Sequence, residues 1–213
     1  ESTMSTAAAP AGAHGAGHDE FDEHHWRSMG VDNMKLMFWT FLGSDCFLFG
    51  SLIGVYMSYR GQSLVGPYPL DVFSVEVTSI STFILLMSSL TMALAVLFSK
   101  TGRRSATMAM LLTTAALGAS FVGFQIYEFN HFLHEGLTLQ GNLFGSTFYT
   151  LTGLHGSHVA IGVLWLVLQA FWYQKGWIRG DEGLAVEVTG LYWHFVDVVW
   201  IVIFTLVYLL EYI

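Results

Sequence analysis

Charge is what this sequence has least of. Only 11% of its 213 residues are Asp, Glu, Lys or Arg, against roughly 25% in an ordinary soluble domain. So poor a supply excludes a disordered chain, a coiled coil and a conventional soluble enzyme of this size, and makes a membrane the default surroundings. Basic residues are scarcer still, eight against sixteen acids, for a formal charge of −8. Residues 1–32 hold six of the acids and one base, so the excess acidity belongs mostly to the N-terminal stretch. That balance argues against a nucleic-acid partner. A single cysteine, Cys46, excludes an internal disulfide and a metal site built from several thiolates. The first residues also lack the basic-then-apolar pattern of a secretory signal.

Residues 1–32 are rich in Ala, Gly, His and acid, without an apolar run, and read as a mobile tail. Its His14, His18, His24 and His25 fit no fixed ligand spacing and read as solvated. Residues 33–213 read as one transmembrane domain. It contains five apolar segments, at about 34–59, 76–98, 105–131, 146–173 and 186–212, each long enough at 1.5 Å per residue to cross a roughly 30 Å hydrocarbon layer. All three prolines, Pro10, Pro67 and Pro69, fall outside these segments, and the breaks between them are Gly-rich or charged. Backbone polar groups in lipid are satisfied only in helices or closed barrels. The fold expected is therefore an all-α bundle of five transmembrane helices. Seven of the eight basic residues (Arg27, Lys35, Lys100, Arg103, Arg104, Lys175 and Arg179) fall on one side and only Arg60 on the other, which places the N-terminus in the cytoplasm. Gly43, Gly50 and Gly54 in the first segment, and Gly118 and Gly123 in the third, are candidates for close helix approach.

The informative residues are the ionisable ones inside the segments, because each costs roughly 2.5–3.5 kcal/mol to insert and needs a partner, a protonation change or a purpose. Asp45, His155, His158, His194 and Asp197 all fall near the middle of their segments. His155 and His158 are three residues apart, as are His194 and Asp197, so each pair shares a helical face. Three readings stand side by side: a hydrogen-bonded network between helices, a proton-handling layer, and ligation of a metal or haem by His155 and His194. A second group lies nearer the ends of the segments. Glu76 and Glu187 open helices and suit the helix dipole, whereas Glu128 and His131 sit in an aromatic stretch that suits a membrane-interface belt. These four are candidates for secondary polar or lipid contacts. No phosphate loop, nucleophile elbow, zinc-protease motif or Cys cluster appears, so no catalytic or metal centre is marked within the chain.

Four stretches carry a family resemblance: LGSDC at 42–46, QIYE at 125–128, GSTFYTLTGLHGSHV at 145–159 and YWHFVDVVW at 192–200. The last resembles the signature of subunit III of haem–copper respiratory oxidases, and the other three resemble elements of the same family in the same order. The resemblance implies a non-catalytic subunit of a proton-pumping terminal oxidase in the bacterial cell membrane. It implies packing on subunit I, association with subunit II, no haem or copper of its own but both in partner subunits, and bound phospholipid. It further implies support of proton uptake and of stability during turnover, with Asp45 at the family's buried-carboxylate position. His155 and His158 match the HGxH pair, His194 and Asp197 match the WHFxD motif, and Glu128 and Glu187 match two further glutamates. The chain resembles the short five-helix bacterial form. Aspartate at 45, where many cytochrome c oxidases carry glutamate, also resembles quinol oxidases; the later motifs favour cytochrome c as the donor. From a different class, the rival reading is a free-standing proton-linked transporter.

Overall fold

Helix lengths follow from how the apolar segments end. The computed structural model describes residues 33–62, 75–176 and 182–212. The N-terminal tail, Pro67, Pro69 and Arg179 lie outside the described residues. Two compact units divide at Met37, residues 1–37 and 38–213; of the first, only the opening residues of a helix are described. The helices are α1 (Asn33–Tyr59), α2 (Val75–Lys100), α3 (Arg104–His134), α4 (Leu143–Lys175) and α5 (Glu182–Ile203), which continues through a π-helical turn (Phe204–Tyr208) into a 3-10 turn (Leu209–Tyr212). All five are long and apolar enough to cross a membrane, and the protein is a multi-pass membrane protein.

Most helices run past the apolar segments read from sequence because polar residues cap them. Asn142 accepts a hydrogen bond from the backbone N–H of Gly145 at 2.6 Å and starts α4, satisfying one of the donors left open at a helix N-terminus. Gly176, at φ 65°, ends it in the left-handed conformation that glycine adopts without cost. The loop between α3 and α4 is pinned as well, since Leu137 is fully buried and its carbonyl accepts from the Tyr149 hydroxyl at 3.0 Å.

Helices α2, α3, α4 and α5 pack in a ring, each against the next and α5 back against α2. Trp193 fills its middle. A Cβ built on Gly118 of α3 would lie 2.5 Å from the Trp193 ring, and one on Gly162 of α4 would lie 3.0 Å from it. Two glycines on different helices thus leave the space that one indole occupies. The candidates Gly43, Gly50, Gly54 and Gly123 have nothing within 4 Å of a built Cβ, so of the five glycines singled out from sequence only Gly118 serves a close approach. Composition shows that a helix contains glycine, but not which face meets a neighbour. Helix α1 joins the ring through large side chains rather than close backbone approach: Phe38 meets Trp165 at 5.8 Å, and Tyr56 meets Phe144 at 6.4 Å.

Gly162→Val tests the packing. The added methyls enter occupied space, and overpacking of this kind costs about 1–3 kcal/mol. The expected result is a lower thermal midpoint, with partial recovery when Trp193→Phe makes room on the same chain.

Candidate functional site

The ionisable residues separate into groups at different helix contacts. At the α1–α4 contact, Asp45 is buried, its side chain 10% exposed, and its Oδ2 lies 3.9 Å from Nε2 of His158. The other ring nitrogen of His158, Nδ1, is 2.9 Å from the Leu154 carbonyl. A carbonyl only accepts, so Nδ1 carries a hydrogen and Nε2 is left to face a carboxyl oxygen. Two acceptors facing each other repel, and a proton held by either partner turns the repulsion into attraction. At 3.9 Å the two atoms face each other beyond hydrogen-bond reach, and Oδ2 of Asp45 is buried without a hydrogen-bond partner. Tyr192 of α5 closes the group, donating its hydroxyl to the His158 carbonyl at 3.0 Å.

One helical turn away, His155 is in different surroundings. It is fully buried, and neither ring nitrogen has a hydrogen-bond partner. Its ring stacks on Trp200 at 4.9 Å and 25° and meets the edges of Phe121 at 6.0 Å and Phe49 at 6.4 Å. It fills an aromatic cage as a flat ring, and the cage contains no counter-charge.

His194 and Asp197 meet Ser89 at the α2–α5 contact. The Ser89 hydroxyl is 2.6 Å from Nδ1 of His194 and also interacts with the Asp197 carboxyl. Asp197 is 4% exposed, and its Oδ1 has no hydrogen-bond partner. On either side, α5 is stitched to α2: Trp193 donates to the Ser88 hydroxyl and Trp200 to the Thr82 hydroxyl, each at 2.9 Å. The structure therefore holds Asp45, His155, His158, His194 and Asp197 at separate helix contacts and not in one hydrogen-bonded cluster. It makes an Asp45–His158 contact, a caged imidazole and a hydroxyl-bridged pair, and it does not pair His155 with His194 as haem ligands. Among the described residues, no three His, Cys, Asp or Glu side chains surround a common point.

Glu128 departs most from the sequence reading. It does not belong to an interface belt: it is 4% exposed, and the Thr78 hydroxyl of α2 donates to its Oε1. Tyr208, on the π-helical turn of α5, lies within electrostatic reach of the same carboxyl. The other end-of-helix candidates are peripheral. Glu76 and His131 are exposed, and Glu187 pairs with Lys100 at 3.4 Å across α5 and α2.

Sequence reasoning missed the hydroxyl residues of α2. Thr78, Ser81, Thr82 and Ser88 are buried, and with Ser89 they line the side of α2 that meets the bundle. Ser81 and Thr82 return their own hydrogens to the Thr78 carbonyl at 2.9 and 2.7 Å. The signal that could have found them is Ser and Thr recurring at helical spacing within an apolar segment, since such residues in membranes serve helix–helix contacts. Thr78→Val tests the outermost of them. It removes the partner of a buried carboxyl, at about 1–3 kcal/mol or more; the expected result is a lower melting temperature that Thr78→Ser largely restores.

Comparison with known proteins places this arrangement. Residues 20–212 match the family described as cytochrome c oxidase subunit III. Cytochrome c oxidase subunit 3 of Alkalihalophilus pseudofirmus is 41% identical over 179 residues, 84% of this chain and 87% of that one. Cytochrome bo(3) ubiquinol oxidase subunit 3 of Pseudomonas aeruginosa is 39% identical over 201 residues, 94% of each chain. Quinol oxidase subunit 3 of Bacillus subtilis is 39% identical over 175 residues, 82% of this chain and 86% of that one.

Proposed function

Because this chain belongs to the cytochrome c oxidase subunit III family, we propose that it packs on the catalytic subunit I of a terminal oxidase, beside subunit II, and sustains proton uptake and turnover stability without a redox centre of its own. The single observation that carries the proton part is the Asp45–His158 pair. Its two acceptors face each other at 3.9 Å and call for one proton between them. With one proton the pair is net neutral, the state a membrane interior favours, and release of that proton leaves a buried carboxylate that draws a replacement proton in.

Haem and copper belong, in this reading, to the partner subunits, and phospholipid occupies the apolar faces of this chain. The membrane is the bacterial cell membrane. The basic residues Lys100, Arg103, Arg104 and Lys175, gathered where α2 and α4 end and α3 begins, favour a cytoplasmic placement of that end and of the N-terminus. The relatives include both cytochrome c and quinol oxidases at nearly equal identity; the sequence motifs favour cytochrome c, and the donor would bind other subunits.

Co-purification tests the reading. A tagged chain extracted in mild detergent is expected to bring with it subunits whose visible spectrum shows haem, and activity with reduced cytochrome c or with a quinol then assigns the donor. A chain recovered without haem partners that moves protons with a solute in vesicles would instead support the transporter reading.

A further inference from the structure

The Ser89–His194–Asp197 group has no part in the Asp45–His158 contact, and its imidazole sits at the edge of the bundle above a buried carboxyl. His194 is half-buried on α5 and lies near the centre of the Gly183–Tyr208 span. Around it the outward positions are apolar: Val198 is 57% exposed and Ile201 41% on α5, and Leu90 is 55% exposed on α2. Ser89 ties Nδ1 of His194. The other nitrogen, Nε2, makes no hydrogen bond among the described residues. One turn further along α5, the carboxyl of Asp197 is buried with Oδ1 equally without a hydrogen-bond partner. A polar edge therefore reaches the outside of this chain at the depth where hydrocarbon is thickest.

Ionisable residues at that depth face protein or a water-filled cavity rather than acyl chains, and phospholipid headgroups lie about half the hydrocarbon thickness, roughly 15 Å, away. The ligand that fits is another transmembrane helix. Resting on the reading of this chain as an oxidase subunit, we infer that the outward side of the α2–α5 contact is the face that receives the catalytic subunit, through a helix bringing a neutral hydroxyl or amide side chain to Nε2 of His194. A neutral group is specified because a charge would have to be desolvated at mid-membrane. A hydroxyl or amide serves whichever tautomer Ser89 selects, since each of them donates and accepts. The apolar residues flanking His194 supply the packing, and the imidazole fixes the register.

The experiment uses the complete oxidase with photo-crosslinking benzoylphenylalanine in place of Val198 and, separately, of Ile126 on α3, which lies across the ring from α5. The expected result is an adduct with the catalytic subunit from position 198 and none from 126. His194→Leu should associate roughly three- to thirty-fold more weakly, the range for one hydrogen bond between helices in a membrane. His194→Gln, whose amide reaches the same place, should recover most of the loss. An adduct from 126 but not 198, or from 198 to a second copy of this chain, overturns the docking face while leaving membership of the oxidase intact. Wild-type association of His194→Leu overturns the anchoring role of the imidazole. If His194→Leu fails to fold, the position 198 adduct in the otherwise unaltered chain still decides the face. Recovery of the unaltered chain without haem partners is a failure of the oxidase reading itself and is seen before any crosslinking begins.

Discussion

Trp193→Ala is expected to be the most damaging single substitution in the bundle, costing about 3–5 kcal/mol, the range for removing a buried tryptophan. The indole is 2% exposed and fills space that Gly118 and Gly162 leave open on two other helices. Its removal therefore opens a cavity bounded by α3, α4 and α5 at once, which no one helix can close by shifting. It also leaves the Ser88 hydroxyl without the indole N–H that meets it at 2.9 Å. In lipid the lost packing outweighs the lost hydrogen bond, because association of membrane helices depends on close van der Waals fit rather than on expulsion of water. The measurement is the midpoint of thermal inactivation of the purified complex, together with the amount of this chain that stays in it. Trp193→Phe should retain most of the packing and lose the hydrogen bond, giving a smaller fall. An alanine variant with the wild-type midpoint would show that the ring of helices does not depend on this side chain.

The same tryptophan shows what can and cannot be read from the sequence. The five helices are legible because apolar length alone decides whether a segment spans, and their ends are displaced by a few residues because caps such as Asn142 and Gly176 are polar and fall outside an apolar window. The run at 192–200 is legible as distinctive. Its work is not, since Trp193 and Trp200 act on Gly118, Gly162, Ser88 and Thr82, between 31 and more than 100 residues away along the chain. Depth in the membrane can be counted and marks five residues as costly. Direction around α1, α3 and α4 cannot, because these helices are apolar nearly all round and lack the periodic polar face that the Ser and Thr residues give α2. His155 and His158 therefore look equivalent in sequence, although one turns into an aromatic cage and the other toward Asp45. Glu128 misleads for the same reason: an aromatic stretch near a helix end suits an interface belt, and only the α2–α3 contact reveals Thr78 beneath it.

Asp45→Asn is expected to leave the oxidase assembled and to shorten its working life. Asparagine keeps the size of the side chain, and its amide can donate to Nε2 of His158, the acceptor that faces position 45 at 3.9 Å. Packing and the α1–α4 contact are therefore retained, and a fixed N–H replaces a shared proton. An amide does not take up or release that proton near neutral pH, so a group that relays protons is lost without loss of structure. The expected result is a fall in turnovers completed before inactivation, no larger than the roughly 10²–10⁴-fold that a positioned acid–base group contributes. His158→Gln should produce a defect of similar size. The double variant should be little worse than either single one, because two residues that share one proton act as a unit and their effects do not add. Subunit stoichiometry and melting temperature are the controls, and Asp45→Leu is the contrast, since it leaves the imidazole without a polar partner and should weaken α1 packing as well. Additive defects, or an Asp45→Asn enzyme with the full number of turnovers, would return the pair to a purely structural contact between α1 and α4.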